Sequence, residues 1–153
     1  MSTCGVAVML ATGIFIGLDI PSYRKNLEAD LATTAAMVSA NSQAALAFND
    51  DKYAREILAG LEAKSLVLAG CLYKEHGTLL TSYERAGSGV TCPQKVPTLP
   101  PASFLSARLA TSQPVMGQDQ QWGTVYLVAT QQPLRDRLRW YLFLTAKIGR
   151  AHV

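Results

Sequence analysis

Charge is the first thing this sequence is short of. Charged residues make up 16% of the chain, with Lys+Arg 14, Asp+Glu 11 and a formal net charge of +3, whereas a soluble domain usually carries about 25%. The basic residues form no stripe and no pattern interleaved with stacking aromatics, which argues against a nucleic-acid partner. Histidine is scarcer still, with 2 in 153 residues, and no Ser-His-Asp set is recognisable in the sequence. There is no glycine-rich phosphate cradle. The chain reads as non-catalytic, and no cofactor is implied. Cysteine numbers only 3, and Cys71, His76 and Cys92 do not follow a zinc-ligand spacing. No period of repetition is visible, and low complexity is confined to prolines near residue 100.

In place of charge the sequence has apolar residues, 49% of the total, gathered at the two ends. Residues 4–18, CGVAVMLATGIFIGL, contain no charge, although a bilayer-spanning helix needs about 20 residues. A secretory signal wants a basic segment before the apolar run and a small-x-small cleavage site after it. Only Met-Ser-Thr precedes this run, and Leu18-Asp19-Ile20-Pro21-Ser22 follows it. Residues 1–20 are therefore read as a transmembrane helix lacking its beginning, in preference to a signal sequence or a buried helix. Gly5, Gly13 and Gly17 suit that reading, because glycine is commoner in membrane helices than in soluble ones.

At the other end, WYLFL (residues 140–144) opens like a second span, with aromatic residues at the headgroup level. The run breaks at Lys147. Residues 148–153, IGRAHV, resemble one reading frame of a common sequencing adapter; the plainer alternative is a short basic tail. The expected division is a truncated first span at 1–20, a folded module at 21–139, the start of a truncated second span at 140–147, and an artefact at 148–153. His152 then drops out as a ligand or base, and His76 remains as a solvated turn residue.

Between the ends, residues 22–48 contain neither glycine nor proline and are rich in alanine, which predicts one long helix with Ser22 as a plausible N-cap, although a helix running straight on from the apolar segment would need no cap. Positions 20, 24, 27, 31, 34, 38, 41, 45 and 48 alternate spacings of four and three, a diluted heptad-like seam. That seam suits either an amphipathic helix on its own sheet or a helix that also meets its twin, with Asn41 fixing register. Asn49-Asp50-Asp51 offers a turn and N-cap for a second helix, which ends at Lys64-Ser65. Strands are expected at 66–73 and 78–83 around a KEHG turn, and again at 104–111 and 123–129 around a polar turn at 116–120. Residues 84–103 form a long excursion rich in glycine and proline. Pro133 opens a last helix. The order is helix, helix, four antiparallel strands, helix, with both ends leading to one bilayer face: an α+β layout suited to an extracytoplasmic sensor.

The residues themselves carry a resemblance. Asn41-Ser42-Gln43-Ala44-Ala45-Leu46-Ala47-Phe48-Asn49-Asp50, then Ala54-Arg55-Glu56-Ile57-Leu58-Ala59-Gly60-Leu61, resemble the CHASE8 sensor domain. Ala69-Gly70-Cys71-Leu72-Tyr73, Gly77 in the turn, and Trp122-Gly123-Thr124-Val125-Tyr126-Leu127 belong to the same likeness, which spans residues 20–140. The resemblance implies a PAS-like periplasmic input domain of a bacterial inner-membrane receptor, with a histidine kinase or diguanylate cyclase as output. No kinase or cyclase motif stands in this chain itself.

In a periplasmic setting Cys71 and Cys92 can form one disulfide, with two separate thiols as the alternative. Arg24 and Lys25 after the first run, and Arg135, Arg137 and Arg139 before the second, would alone place the module in the cytoplasm. The resemblance and the shared bilayer face of the termini place it in the periplasm. A ligand pocket is expected on the sheet face under the helices, with polar groups from Asn41, Arg55, Tyr73, Tyr83, Arg108 and Tyr126. Each also has a structural reading, as core aromatic or surface cation. The expected partners are a second copy through the long helix, the membrane, and an unknown small-molecule or protein signal. The alternative is a small-molecule binding protein without an output domain, either secreted or anchored to the membrane.

Overall fold

A computed structural model describes residues 3–98, 107–131, 139, 140 and 143. Helix α1 (Thr3–Ala47) is followed by α2 (Asp51–Ala59) and a 3-10 turn (Gly60–Ala63), then strands β1 (Val67–Lys74), β2 (Leu79–Glu84), β3 (Arg108–Met116) and β4 (Gln121–Thr130). The strands form one sheet in the order β2-β1-β4-β3, and each neighbouring pair is antiparallel. The α+β arrangement of two helices on a four-stranded antiparallel sheet is therefore the observed one. The Pro133 helix, the second apolar run at 140–147 and residues 148–153 lie almost wholly outside the described residues.

The long helix begins earlier than its glycine-free stretch. Its backbone is continuous from Thr3 through Pro21, so Ser22 is interior and caps nothing. A proline removes one ladder bond, and the helix is continuous on both sides of it. The other end closes as the sequence demands. Asn49 takes a left-handed φ of 52°; its N–H donates to Leu46 O at 3.2 Å, and Asp50 N–H donates to Ala45 O at 2.8 Å. That is the Schellman pattern, with asparagine in glycine's usual place. Asp50 then caps α2, its carboxylate accepting from Lys52 N and Tyr53 N, both at 3.0 Å. Two adjacent residues end one helix and start the next.

α1 lies across β3 and β4, and α2 across β2. Leu27, Leu31, Ala35, Val38 and Ala45 of α1 join Ala54 and Leu58 of α2, Leu61, Val67 and Leu72, and Leu109, Val115, Val125, Leu127 and Ala129 of the sheet in one buried cluster. Each fully buried leucine stabilises the fold by about 1.5–3 kcal/mol. Ser39 Oγ donates to Pro114 O at 2.8 Å, fastening α1 to β3. Pro114 is tolerated because β3 is an edge strand, paired only with β4.

The opposite sheet face is covered by a loop. Ala69, Cys71, Tyr73, Tyr126 and Val128 form a second buried cluster there, with Leu79, Val90, Cys92 and Ala110 packed against it. The loop is tied down at several points. Cys92 is bonded to Cys71 in a disulfide, Tyr73 OH donates to Pro93 O at 2.9 Å, and Cys92 N donates to Glu84 Oε1 at 2.8 Å. Leu79 N donates to Gln94 O and Val96 N to Gly77 O. The polar hairpin turn is made possible by Gly77, at φ 74°.

Candidate functional site

The buried face of α1 decides where a site can be. Arg24, Leu27, Leu31, Thr34, Ala35, Val38, Ser39, Ser42 and Ala45 are buried, while Asn41 and Phe48 are exposed. Arg24, Leu31, Val38 and Ala45 keep a spacing of seven, while Ala35, Ser39 and Ser42 widen the buried stripe to one side, as the drift of a straight helix of about 3.6 residues per turn allows. Beyond Val38 the expected seam keeps Ala45 in the core but loses Asn41 and Phe48, which are exposed. Asn41 faces away from the sheet and cannot reach a pocket beneath the helices.

The six residues singled out from sequence do not meet. Arg55 is exposed on α2, its Nε donating to Asp51 O at 3.3 Å. Tyr83 packs against the helix-side cluster, with the Arg85 guanidinium 6.0 Å from its ring centre. Tyr73 and Tyr126 come together, but on the loop-covered face, because their parity along β1 and β4 is opposite to that of Leu72, Val125 and Leu127. Burial pushes the Tyr73 hydroxyl up to about 12, with the neighbouring Tyr126 adding to the shift. Burial also raises Tyr126. These are neutral core phenols, one of them anchoring the loop. Arg108 stands at the edge of the same face, donating through Nη2 to Ser88 O at 3.3 Å.

Under the helices the inner sheet positions are occupied by packed side chains. A cleft of about 190 Å³ opens at one end of that layer, beside Leu27, Leu31, Leu66 and the Lys64–Asp30 pair at 3.4 Å. A second cleft of about 450 Å³ lies near the hairpin turn, between Leu46, Lys74, His76 and Trp122. The third, of about 390 Å³, brings two arginines to one cleft: Ser65, Arg85, Ser88, Arg108 and Thr130 line it, with Leu68 as an apolar wall.

Arg85 is the member that sequence reasoning missed. Its Nε donates to Val67 O at 2.9 Å, and its Nη2 donates to Glu62 O at 3.2 Å and Lys64 O at 2.9 Å. Three carbonyls near the end of the 3-10 turn thus hold one guanidinium still. The only hint in the sequence was a cation placed just before the Gly87-Ser88-Gly89 turn. Among the described residues no three of His, Cys, Asp and Glu cluster to hold an ion, and Cys71 and Cys92 are joined in their disulfide.

Among the described residues no helix is long and apolar enough to cross a membrane; most side chains of residues 1–20 fall outside the description. A family model for the CHASE8 periplasmic sensor domain matches residues 23–128. No curated protein matches the chain.

Proposed function

The chain belongs to the CHASE8 family of periplasmic sensor domains, and from that premise we propose that it is the input domain of a bacterial inner-membrane receptor. The family assigns extracytoplasmic sensing. The finer reading adds anchoring by the apolar ends, dimerisation through α1, and control of a histidine kinase or diguanylate cyclase by movement of α1. In this mechanism a signal changes how α1 packs on the sheet. A ligand can drive that change only if it binds one packing better than the other.

The observation that carries this reading is the continuity of α1. One unbroken helix, Thr3–Ala47, joins the apolar N-terminal run to the core of the sensor, so a shift of the helix against the sheet must move both. Leu10 and Ile14, one turn apart, are 62% and 61% exposed, an apolar face that lipid would cover. The outer face of α1 supports a partner. From residue 31 to its end at Ala47 it carries no charge, and Met37 on it and Phe48 just past its end are 62% and 83% exposed. A helix face left to water usually carries charged and polar residues.

Site-directed cross-linking in the intact receptor in bacterial membranes tests this. Met37→Cys and Ala44→Cys should each give a disulfide-linked dimer, whereas Val38→Cys, on the sheet side, should not. Equal cross-linking at all three positions, or none at any, would sink the dimer. A phosphatase reporter inserted at residue 87 should be active, as it is only outside the cytoplasm.

A further inference from the structure

The cleft beside Arg85 and Arg108 is not explained by folding alone. We propose that it binds a small organic anion through a carboxylate or phosphate group, an inference that rests on the sensing role and names the class of signal.

Among the described residues the lining contains two arginines and no carboxylate: besides the arginines it is Ser65, Leu68, Gly87, Ser88 and Thr130 with two alanines. Neither arginine is neutralised by an ion pair among the described residues, where the pairs are Arg24–Glu28 and Lys64–Asp30. The carboxylate next in sequence, Glu84, is engaged by the Cys92 N–H on the covering loop. Two cationic side chains on one concave surface, with no carboxylate among its described lining residues, make that surface attractive to an anion.

The two arginines are prepared differently. Carbonyl oxygens take the Nε and Nη2 donors of Arg85, which orients the group and leaves Nη1 without an acceptor among the described residues. A fork fixed in this way loses little entropy when it meets an oxyanion. Arg108 is exposed and held only by its 3.3 Å bond to Ser88 O, so it can close on a bound group. The hydroxyl of Ser65 adds a polar contact, and Leu68 offers apolar surface to a short hydrocarbon body. At about 390 Å³ the cleft suits a small metabolite.

The test is an NMR titration of the 153-residue chain in neutral detergent, with sodium phosphate and sodium succinate at constant ionic strength. Saturable shifts of the amides at 85–88 and 107–108 are expected with at least one of them, and the tighter of the two identifies the head group. Arg108→Gln should weaken binding about tenfold or more, the effect of losing a charged hydrogen bond, while the rest of the spectrum stays in place. Arg108→Lys should recover part of the loss. Shifts that do not saturate, that sodium chloride alone reproduces, or that are equal in Arg108→Gln overturn the proposal. The α1 cross-linking test involves no anion, so failure here leaves the receptor reading standing, and the reverse also holds.

Discussion

Reduction of the Cys71–Cys92 bond should lower stability without releasing the loop it spans. The cysteines are 21 residues apart. Closing a loop of that length removes about 11 cal/mol/K of entropy from the unfolded chain, or about 3 kcal/mol at 25 °C. In the folded state the loop has other anchors: the Tyr73–Pro93 hydrogen bond, the Cys92–Glu84 bond, and the backbone bonds of Leu79 and Val96. The bond's main effect therefore falls on the unfolded ensemble. Urea unfolding with and without reductant measures it. With a slope of about 2 kcal/mol per molar, the midpoint should drop by about 1.5 M while the native circular dichroism is unchanged. Limited proteolysis supplies the control, since residues 85–98 should resist cleavage in both states. A midpoint shift below about 0.3 M would refute the entropic argument. Native-state cleavage in the loop after reduction would refute the claim that the hydrogen bonds suffice.

The remaining predictions concern titration, a cap and a close approach. Tyr73 is pushed up to about 12 by burial and by Tyr126, so the fold favours its neutral form. The stability this provides is complete below the unfolded value near 10.0 and is lost as the pH rises from there through 12. An alkaline absorbance titration should show two of the 6 tyrosines ionising late, and simultaneous ionisation near pH 10 would contradict it. Asp50→Ala removes the acceptor of two amide bonds and should cost about 1 kcal/mol in urea unfolding. Gly123→Ala should be far worse, because a Cβ there would press on Tyr73 O and on the Leu46 side chain. Gly60→Ala, with open space around it, is the matched control.

Local chemistry made much of this fold legible. Asn49 and Asp50 announce a helix end and a helix start by their own side chains, and the structure uses both for those purposes. The hairpin turn at Gly77 was equally visible. What misled was tertiary context. Strand β3 runs to Met116, past the expected end at 111, because a sheet edge tolerates Pro114. Strand parity could be read along β1, but not which parity faces the helices, so Tyr73 and Tyr126 were assigned to the wrong side. Arg85 was invisible for a related reason: its partners are backbone carbonyls 18 to 23 residues away in sequence, and carbonyls carry no residue identity to read.

That hidden role of Arg85 separates two functions that a simple alanine scan would merge. Its guanidinium gathers carbonyls from Glu62, Lys64 and Val67, the corner where the chain leaves the 3-10 turn and enters β1. The same corner abuts α1, since Leu27, Asp30 and Leu31 share a cleft with Lys64, Leu66 and Val67. Anything that pulls on Arg85 thus pulls on residues that touch the signalling helix. Arg85→Lys keeps the charge but can satisfy few of those three acceptors, so it should cost about 1–3 kcal/mol and speed amide exchange at residues 64–67. Arg108→Gln, which gives up one long bond at an exposed site, should stay within about 0.5 kcal/mol of the parent. In the intact receptor, Arg85→Lys should shift basal output with no anion added, while Arg108→Gln should leave basal output alone and blunt the response to the anion. If both variants destabilise equally, Arg85 has no special hold on the corner, and the route from cleft to α1 must run through other contacts.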